Sequence, residues 1–152
     1  MGHSCIFSAP LGMMKICDDE KGITELSFVE NEEKTEPETE LERKAIEELM
    51  EYFAGKRKEF DLPLSYQGTD FQMRCWKALQ EIPYGETRSY KEEAEMAGNV
   101  KAVRAVGGAN HNNRICIIIP CHRVINADGK LGGYGGGAEH KKQLLELERT
   151  YK

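Results

Sequence analysis

A chain of 152 residues, 39 % hydrophobic and 31 % charged, is long enough to close one compact domain or two small ones around a shared core. Its longest apolar run, residues 115–120, falls far short of the ~18 residues a membrane span needs, so no membrane association is expected. The net charge of −5 is unevenly placed: residues 1–62 carry 16 acids and 8 bases, residues 63–152 carry 10 acids and 13 bases. That asymmetry fits a second half that meets an anion, and fits equally a solvated acidic surface on the first half.

The first ten residues show no charged segment leading into an apolar core, so no secretory leader is expected and a cytoplasmic location (nuclear in a eukaryote) follows. Five cysteines, Cys5, Cys17, Cys75, Cys116 and Cys121, make an odd count without a Cys-x-x-Cys pair, and the four histidines are scattered. This pattern argues against both a disulfide scaffold and a zinc cluster, and raises the question of which thiol reacts.

Residues 6–7, 13–17 and 23–29 read as short strands separated by turns at Pro10-Leu11-Gly12 and at residues 18–22. An acidic loop over 31–40 precedes a helix with Leu41, Ala45, Leu49, Tyr52 and Phe53 on one face, ended by Gly55. Residues 56–65 read as a linker, which sets a domain boundary at 62/63. Thr69-Asp70 caps a helix bearing Phe71, Cys75, Trp76 and Leu79, stopped by Pro83 and Gly85. Ser89 caps a short helix over 90–97, Gly98-Asn99 turns the chain, and a second helix runs over 101–109: a helix-turn-helix. That second helix is rich in small residues, including Ala105, Gly107 and Gly108. Glycines inside a helix cost ~1 kcal/mol each, so either close approach to another surface or tight core packing should offset them. Residues 115–119 read as a buried strand, 124–125 as a brief one, and 138–149 as a last helix after a glycine-rich stretch around Tyr134. The fold class is thus α+β, a sheet and helix followed by a mainly helical half.

Cys121 follows the buried run directly and is followed by His122 and Arg123. Positive neighbours lower a thiol pKa, and a nearby base makes an efficient nucleophile. Adjacent residues on an extended chain point opposite ways, so His122 reaches the sulfur only through a bend after Pro120 or through a water.

The string Ile119-Pro120-Cys121-His122-Arg123-Val124 resembles the active-site signature of the methylated-DNA–protein-cysteine methyltransferases, the O6-alkylguanine-DNA alkyltransferases. Ile82-Pro83-Tyr84-Gly85-Glu86-Thr87, Ser89-Tyr90, Arg104-Ala105-Val106-Gly107-Gly108-Ala109, Asn113 and the glycines of 132–137 fall in order with family-like spacing. The resemblance covers residues 64–150 closely and residues 1–62 loosely.

The resemblance implies a small N-terminal domain (1–62) with an antiparallel three-stranded sheet and a helix. It implies a mainly helical C-terminal DNA-binding and alkyl-acceptor domain (63–152). It further implies direct, irreversible, single-turnover transfer of a methyl or larger alkyl group from O6-methylguanine, and O4-methylthymine, in DNA to Cys121. His122 is then the proton acceptor through a water, Glu148 its orienting partner, Asn113 the tie of the active-site turn, and Tyr90 the group that turns the phosphate and supplies a proton to the leaving guanine. Arg104 enters the base stack, Ala105 and Gly107 approach the DNA, Tyr134 walls the pocket, and the main chain at Cys121, Val124 and Gly135 reads the base, with Arg123 beside it. The partner implied is double-stranded DNA, bound in the minor groove without sequence preference by a monomer, with the target base flipped out. No cofactor is implied. Some relatives bind zinc near the N-terminus with two Cys and two His; here Cys5 survives, but Asp19 and Thr24 stand where the second Cys and a His are expected, so two of the four ligands are missing and no metal is expected.

A second reading is a non-catalytic alkyltransferase-like binder that flags alkylated bases for other repair. Such proteins lack the nucleophile, and Cys121 with Glu148 favours the enzyme. A thiol protease would leave the helix-turn-helix without a use.

Overall fold

The computed structural model describes residues 2–134 and 137–152, and the chain divides into two compact units, 1–66 and 67–152. In the first unit, β1 (His3–Ala9), β2 (Gly12–Asp19) and β3 (Gly22–Phe28) form an antiparallel sheet in the order β1-β2-β3. Its register sets Phe7 opposite Met14 and Ile16 opposite Leu26. Helix α1 (Glu40–Phe53) covers one face, where Met14, Ile16, Ile23 and Leu26 are buried along with Ala45, Leu49 and Tyr52. Thr39 caps α1 by accepting from Glu42 N, and its hydroxyl donates to the buried Asp18 carboxylate at 2.8 Å, so the cap also fastens helix to sheet.

β1 and β2 are longer than the apolar pattern indicates, because their mutual pairing carries β1 into the exposed residues His3 and Ser4. Residues 63–65 belong to the first unit, not to the second as the boundary at 62/63 implies. Leu64 bridges Ile23 in parallel, Ile23 N donates to Pro63 O at 2.9 Å, and Ser65 N donates to Ile23 O at 2.8 Å.

The second unit packs α2 (Asp70–Gln80), α3 (Tyr90–Met96) and α4 (Val103–His111) around Cys75, Ala94, Ala97, Val106 and Ala109. Capping boxes start two of them: Thr69 with Gln72 on α2, Ser89 with Glu92 on α3. Gly98, at φ +90°, makes the turn between α3 and α4. Two long-range hydrogen bonds hold α2 to this pair: Trp76 Nε1 to Ala109 O at 2.8 Å, and Arg74 Nε to Ala97 O at 3.1 Å.

Residues 115–119 are buried except for the half-buried Cys116, as their composition leads one to expect, but they are not a strand. Ile118 N donates to Cys116 O, Ile119 N to Ile115 O and Cys121 N to Ile119 O, a chain of tight turns through Ile117 at φ +70°. An apolar run reports burial, not backbone conformation. Cys121–Arg123 then form a 3-10 turn, β4 (Arg88–Ser89) pairs in parallel with β5 (Val124–Ile125), and α5 (Ala138–Tyr151) packs against the 3-10 turn.

The β3 edge yields a prediction. A Cβ at Gly22 would lie 2.5 Å from Pro63 O and 2.7 Å from its carbonyl carbon, so Gly22→Ala forces the 63–65 segment off the sheet. The expected cost is about 1–3 kcal/mol, read as a melting temperature several degrees lower.

Candidate active site

The 3-10 turn rolls three consecutive side chains into buried positions: Cys121, His122 and Arg123 are 8 %, 0 % and 7 % exposed. This is the bend after Pro120 that lets two neighbours in sequence serve one site. Cys121 lies in the wall of a cavity of about 260 Å³ shared with Tyr90 of α3, Gly107, Asn110 and His111 of α4, and Gly133 and Tyr134.

His122 and Arg123 converge on Glu148 of α5. His122 Nε2 donates to Glu148 Oε2 at 2.6 Å, Arg123 Nε to Oε1 at 2.9 Å, Arg123 Nη2 to Oε2 at 3.1 Å, and Gly85 N to Oε1 at 3.1 Å. Arg123 Nη1 donates to Ile82 O at 2.7 Å, and the guanidinium lies 5.7 Å from the Tyr84 ring centre. Burial alone pushes Glu148 up, but the hydrogen bonds and charges of His122 and Arg123 outweigh it and hold the carboxyl well below the usual carboxylate range.

Burial pushes His122 down, against the pull of Glu148, so the ring is neutral. A carboxylate at Nε2 fixes the proton there and leaves the lone pair on Nδ1, which is buried and has no hydrogen-bond partner among the described residues. Burial pushes the Cys121 thiol up to about 11, while a hydrogen bond from Asn113 and the charge of Lys141 pull it back. The expectation that positive neighbours activate Cys121 is therefore corrected. Arg123 spends its charge on Glu148 and His122 is neutral, so at rest the thiol keeps its proton and a base must take it.

Asn113 braces the turn, donating from Nδ2 to Ile119 O at 2.8 Å and accepting from Ile115 N at 3.0 Å. Burial, then the charges of Cys121 and Glu93, raise the Tyr90 phenol above its ordinary value. Val124 is fully buried in β5. Arg104 and Ala105 are exposed near the start of α4. A Cβ at Gly107 or Gly108 would meet nothing within 4 Å, so core packing does not account for these glycines. Arg123 is corrected from a DNA-facing residue to a buried structural cation, and Gly135 lies outside the described residues.

Sequence reasoning missed Lys141. It is fully buried, donates from Nζ to Gly133 O at 3.1 Å and sits 5.9 Å from the Tyr90 ring centre. Burial pushes its ammonium down to about 8, and negative charge developing on Cys121 would pull it back up. The spacing held the signal: Lys141, Leu144, Leu145 and Glu148 share one helix face.

Among its described residues the first unit offers no comparable centre. Cys5 is buried beside Glu42, its thiol pushed up to about 12 by burial and by that carboxylate. Asp19 is occupied by Lys21 N, Gly22 N and the Ser65 hydroxyl. These residues do not fit a zinc ion, and among the described residues no group of three or more His, Cys, Asp or Glu is set to hold one.

Residues 70–150 match the family model for the DNA-binding domain of 6-O-methylguanine DNA methyltransferase, and residues 5–66 match that for its ribonuclease-like domain. The chain belongs to the 6-O-methylguanine DNA methyltransferase family. It is 49 % identical over 152 residues to the methylated-DNA–protein-cysteine methyltransferase of Methanosarcina acetivorans, covering 96 % of this chain and 97 % of the relative. It is 60 % identical over 106 residues to that of Mycobacterium tuberculosis, 70 % of this chain and 64 % of the relative. The crystal structure of the M. tuberculosis O6-methylguanine methyltransferase matches with a TM-score of 0.90 at 46 % identity, covering 100 % of this chain and 95 % of that one. The M. tuberculosis protein OGT in complex with DNA matches equally well, at 0.90 and 48 % identity, over 98 % and 94 % of the two chains.

Glu148 predicts a stability signature for this family member. Its depressed carboxyl contributes stability that is present above the ordinary value of about 4.3 and is lost as pH falls towards the folded value. Glu148→Gln leaves Arg123 buried without its counter-charge, so the variant should lose about 3–5 kcal/mol at neutral pH, roughly ten degrees in melting temperature. The gap to the native protein should narrow under acid, which thermal melts across pH will show.

Proposed function

We propose that this protein repairs DNA by transferring a methyl or other alkyl group from O6 of guanine, and from O4 of thymine, to Cys121, once per chain. The observation that carries this reading is a cavity-wall cysteine whose chain neighbour is a buried, neutral histidine fixed by a buried carboxylate.

The reaction breaks the bond between the alkyl carbon and the base oxygen and forms a carbon–sulfur bond. The thiol proton passes to His122 Nδ1, directly or through one bridging water, and the imidazolium so formed is stabilised by Glu148. Tyr90 returns a proton to guanine as it leaves. Lys141 stabilises the thiolate as it develops, a positive charge aimed at a site where negative charge appears only during reaction. The product thioether has no easy route back to a thiol, so each chain acts once, and no cofactor is consumed.

The alkylated oxygen lies inside the base stack, so the base must be flipped into the cavity. The second unit, 67–152, supplies the surface. The open face of α4 at Gly107 and Gly108 allows close backbone approach to a minor groove, and the exposed Arg104 guanidinium replaces the extruded base in the stack. Minor-groove docking reads little sequence, which suits a protein that must work anywhere on duplex DNA. Among the described residues the five cysteines form no disulfide, which fits a reducing, cytoplasmic setting. The binder reading is disfavoured by the presence of the nucleophile and its intact relay.

The test is intact-mass spectrometry after mixing with excess O6-methylguanine duplex. The native chain should gain the mass of one methylene and then stop, with the adduct on Cys121. Cys121→Ala should bind the duplex and gain nothing. Continued turnover, or transfer to Cys5, Cys17, Cys75 or Cys116, would overturn the assignment.

A further inference from the structure

Glu93, on α3, is a fully buried carboxyl outside the relay. Its Oε1 accepts a hydrogen bond from Asn110 Nδ2 of α4 at 2.6 Å, and Asn110 in turn lines the cavity with Cys121. The two oxygens left on this pair, Glu93 Oε2 and Asn110 Oδ1, are both buried without a hydrogen-bond partner among the described residues. Two buried acceptors left on the same pair of side chains disfavour an ionised carboxylate, and a proton on Glu93 would supply the donor that the pair lacks. With the proton on Oε2, donation to Asn110 Oδ1 would join the observed bond from Asn110 Nδ2 to Oε1, the two-bond pairing of a carboxylic acid with a carboxamide.

The groups around it leave an ionised Glu93 uncompensated. Cys75 faces it from α2, Tyr90 from its own helix, and Cys121 from the 3-10 turn, each destabilised as an anion by a charge on Glu93. The cations nearby act elsewhere: Arg74 on Cys75, Lys141 of α5 on Cys121. Burial, opposed by the Asn110 hydrogen bond, pushes the carboxyl up to about 7.

We propose that Glu93 is a positioning residue for alkyl transfer: as the neutral acid it locks the Asn110 carboxamide into the cavity wall and keeps charge away from Cys121, and its ionisation slows transfer. This rests on the reading of Cys121 as the alkyl acceptor. Ionisation acts in two ways. The negative Oε2 repels Asn110 Oδ1 and loosens the wall between α3 and α4, and it opposes the thiolate that must form on Cys121.

Glu93→Gln tests this, because its carboxamide makes the same two hydrogen bonds at every pH and never ionises. Single-turnover transfer rates, taken as the ratio of variant to native, cancel the titration of all other groups. The ratio should be near one at about pH 6 and rise towards about tenfold by about pH 8, as the native carboxyl loses its proton. The melting temperature of the variant should gain on the native from about pH 4.5 to about pH 7 and level off above it, since a raised carboxyl gives stability that is full below its unfolded value and lost as pH rises through its folded value. Glu93→Leu, which removes the charge and the hydrogen bonds together, should be slow throughout and show no rescue. In the native protein alone, carboxyl-carbon NMR should find a glutamate titrating near 7 besides Glu42 near 6. A flat rate ratio, or no carboxyl titrating near 7, overturns the proposal. Failure of every form to transfer at any pH overturns instead the reading of Cys121.

Discussion

The second unit is organised around one buried carboxylate. Glu148 accepts from His122, from two nitrogens of Arg123 and from the main chain at Gly85, and so draws α5, the 3-10 turn and the segment after α2 to a single point. A charge buried this deeply persists only when its partners satisfy it. Arg123 neutralises it, and that leaves His122 free to remain a neutral base. The arrangement separates the adjacent bases: Arg123 holds the carboxylate, and His122, on the proposed mechanism, takes the proton.

The same economy explains why the nucleophile is quiet at rest. Cys121 is buried and keeps its proton, so no reactive thiolate stands open to every electrophile. On the proposed mechanism, reaction needs a substrate that fills the cavity, a base at His122 Nδ1 and a positive charge from Lys141. Glycines on α4 whose side-chain positions open onto empty space place that cavity beside a surface that can approach a duplex closely.

Much of this was legible in the sequence, for identifiable reasons. Capping signals at Thr69 and Ser89 and the alternation along β2 follow from local chemistry, so the elements they start or mark lie where the sequence puts them. Extended pairing of β1 through His3 and Ser4 was not legible, because the partner strand and not the local residues decides it. The run 115–119 carries only the information that it is buried; the left-handed turn at Ile117 depends on hydrogen bonds such as that from Asn113 Nδ2 to Ile119 O. Lys141 and Glu93 were not singled out, since burial of a charged side chain leaves no trace in composition and shows only in helix-face spacing such as that of Lys141 with Leu144, Leu145 and Glu148. Arg123 was placed on the wrong partner, because sequence proximity to Cys121 does not reveal that α5 returns Glu148 beneath it.

The central claim is that Glu148 makes His122 a competent base for Cys121. It is tested most directly by the single-turnover alkyl-transfer rate of Glu148→Gln, measured on protein shown to be folded by near-ultraviolet circular dichroism at the assay temperature. Loss of the oriented base should slow transfer by about 10²–10⁴-fold. A folded Glu148→Gln protein that transfers within a few-fold of the native rate would contradict the account.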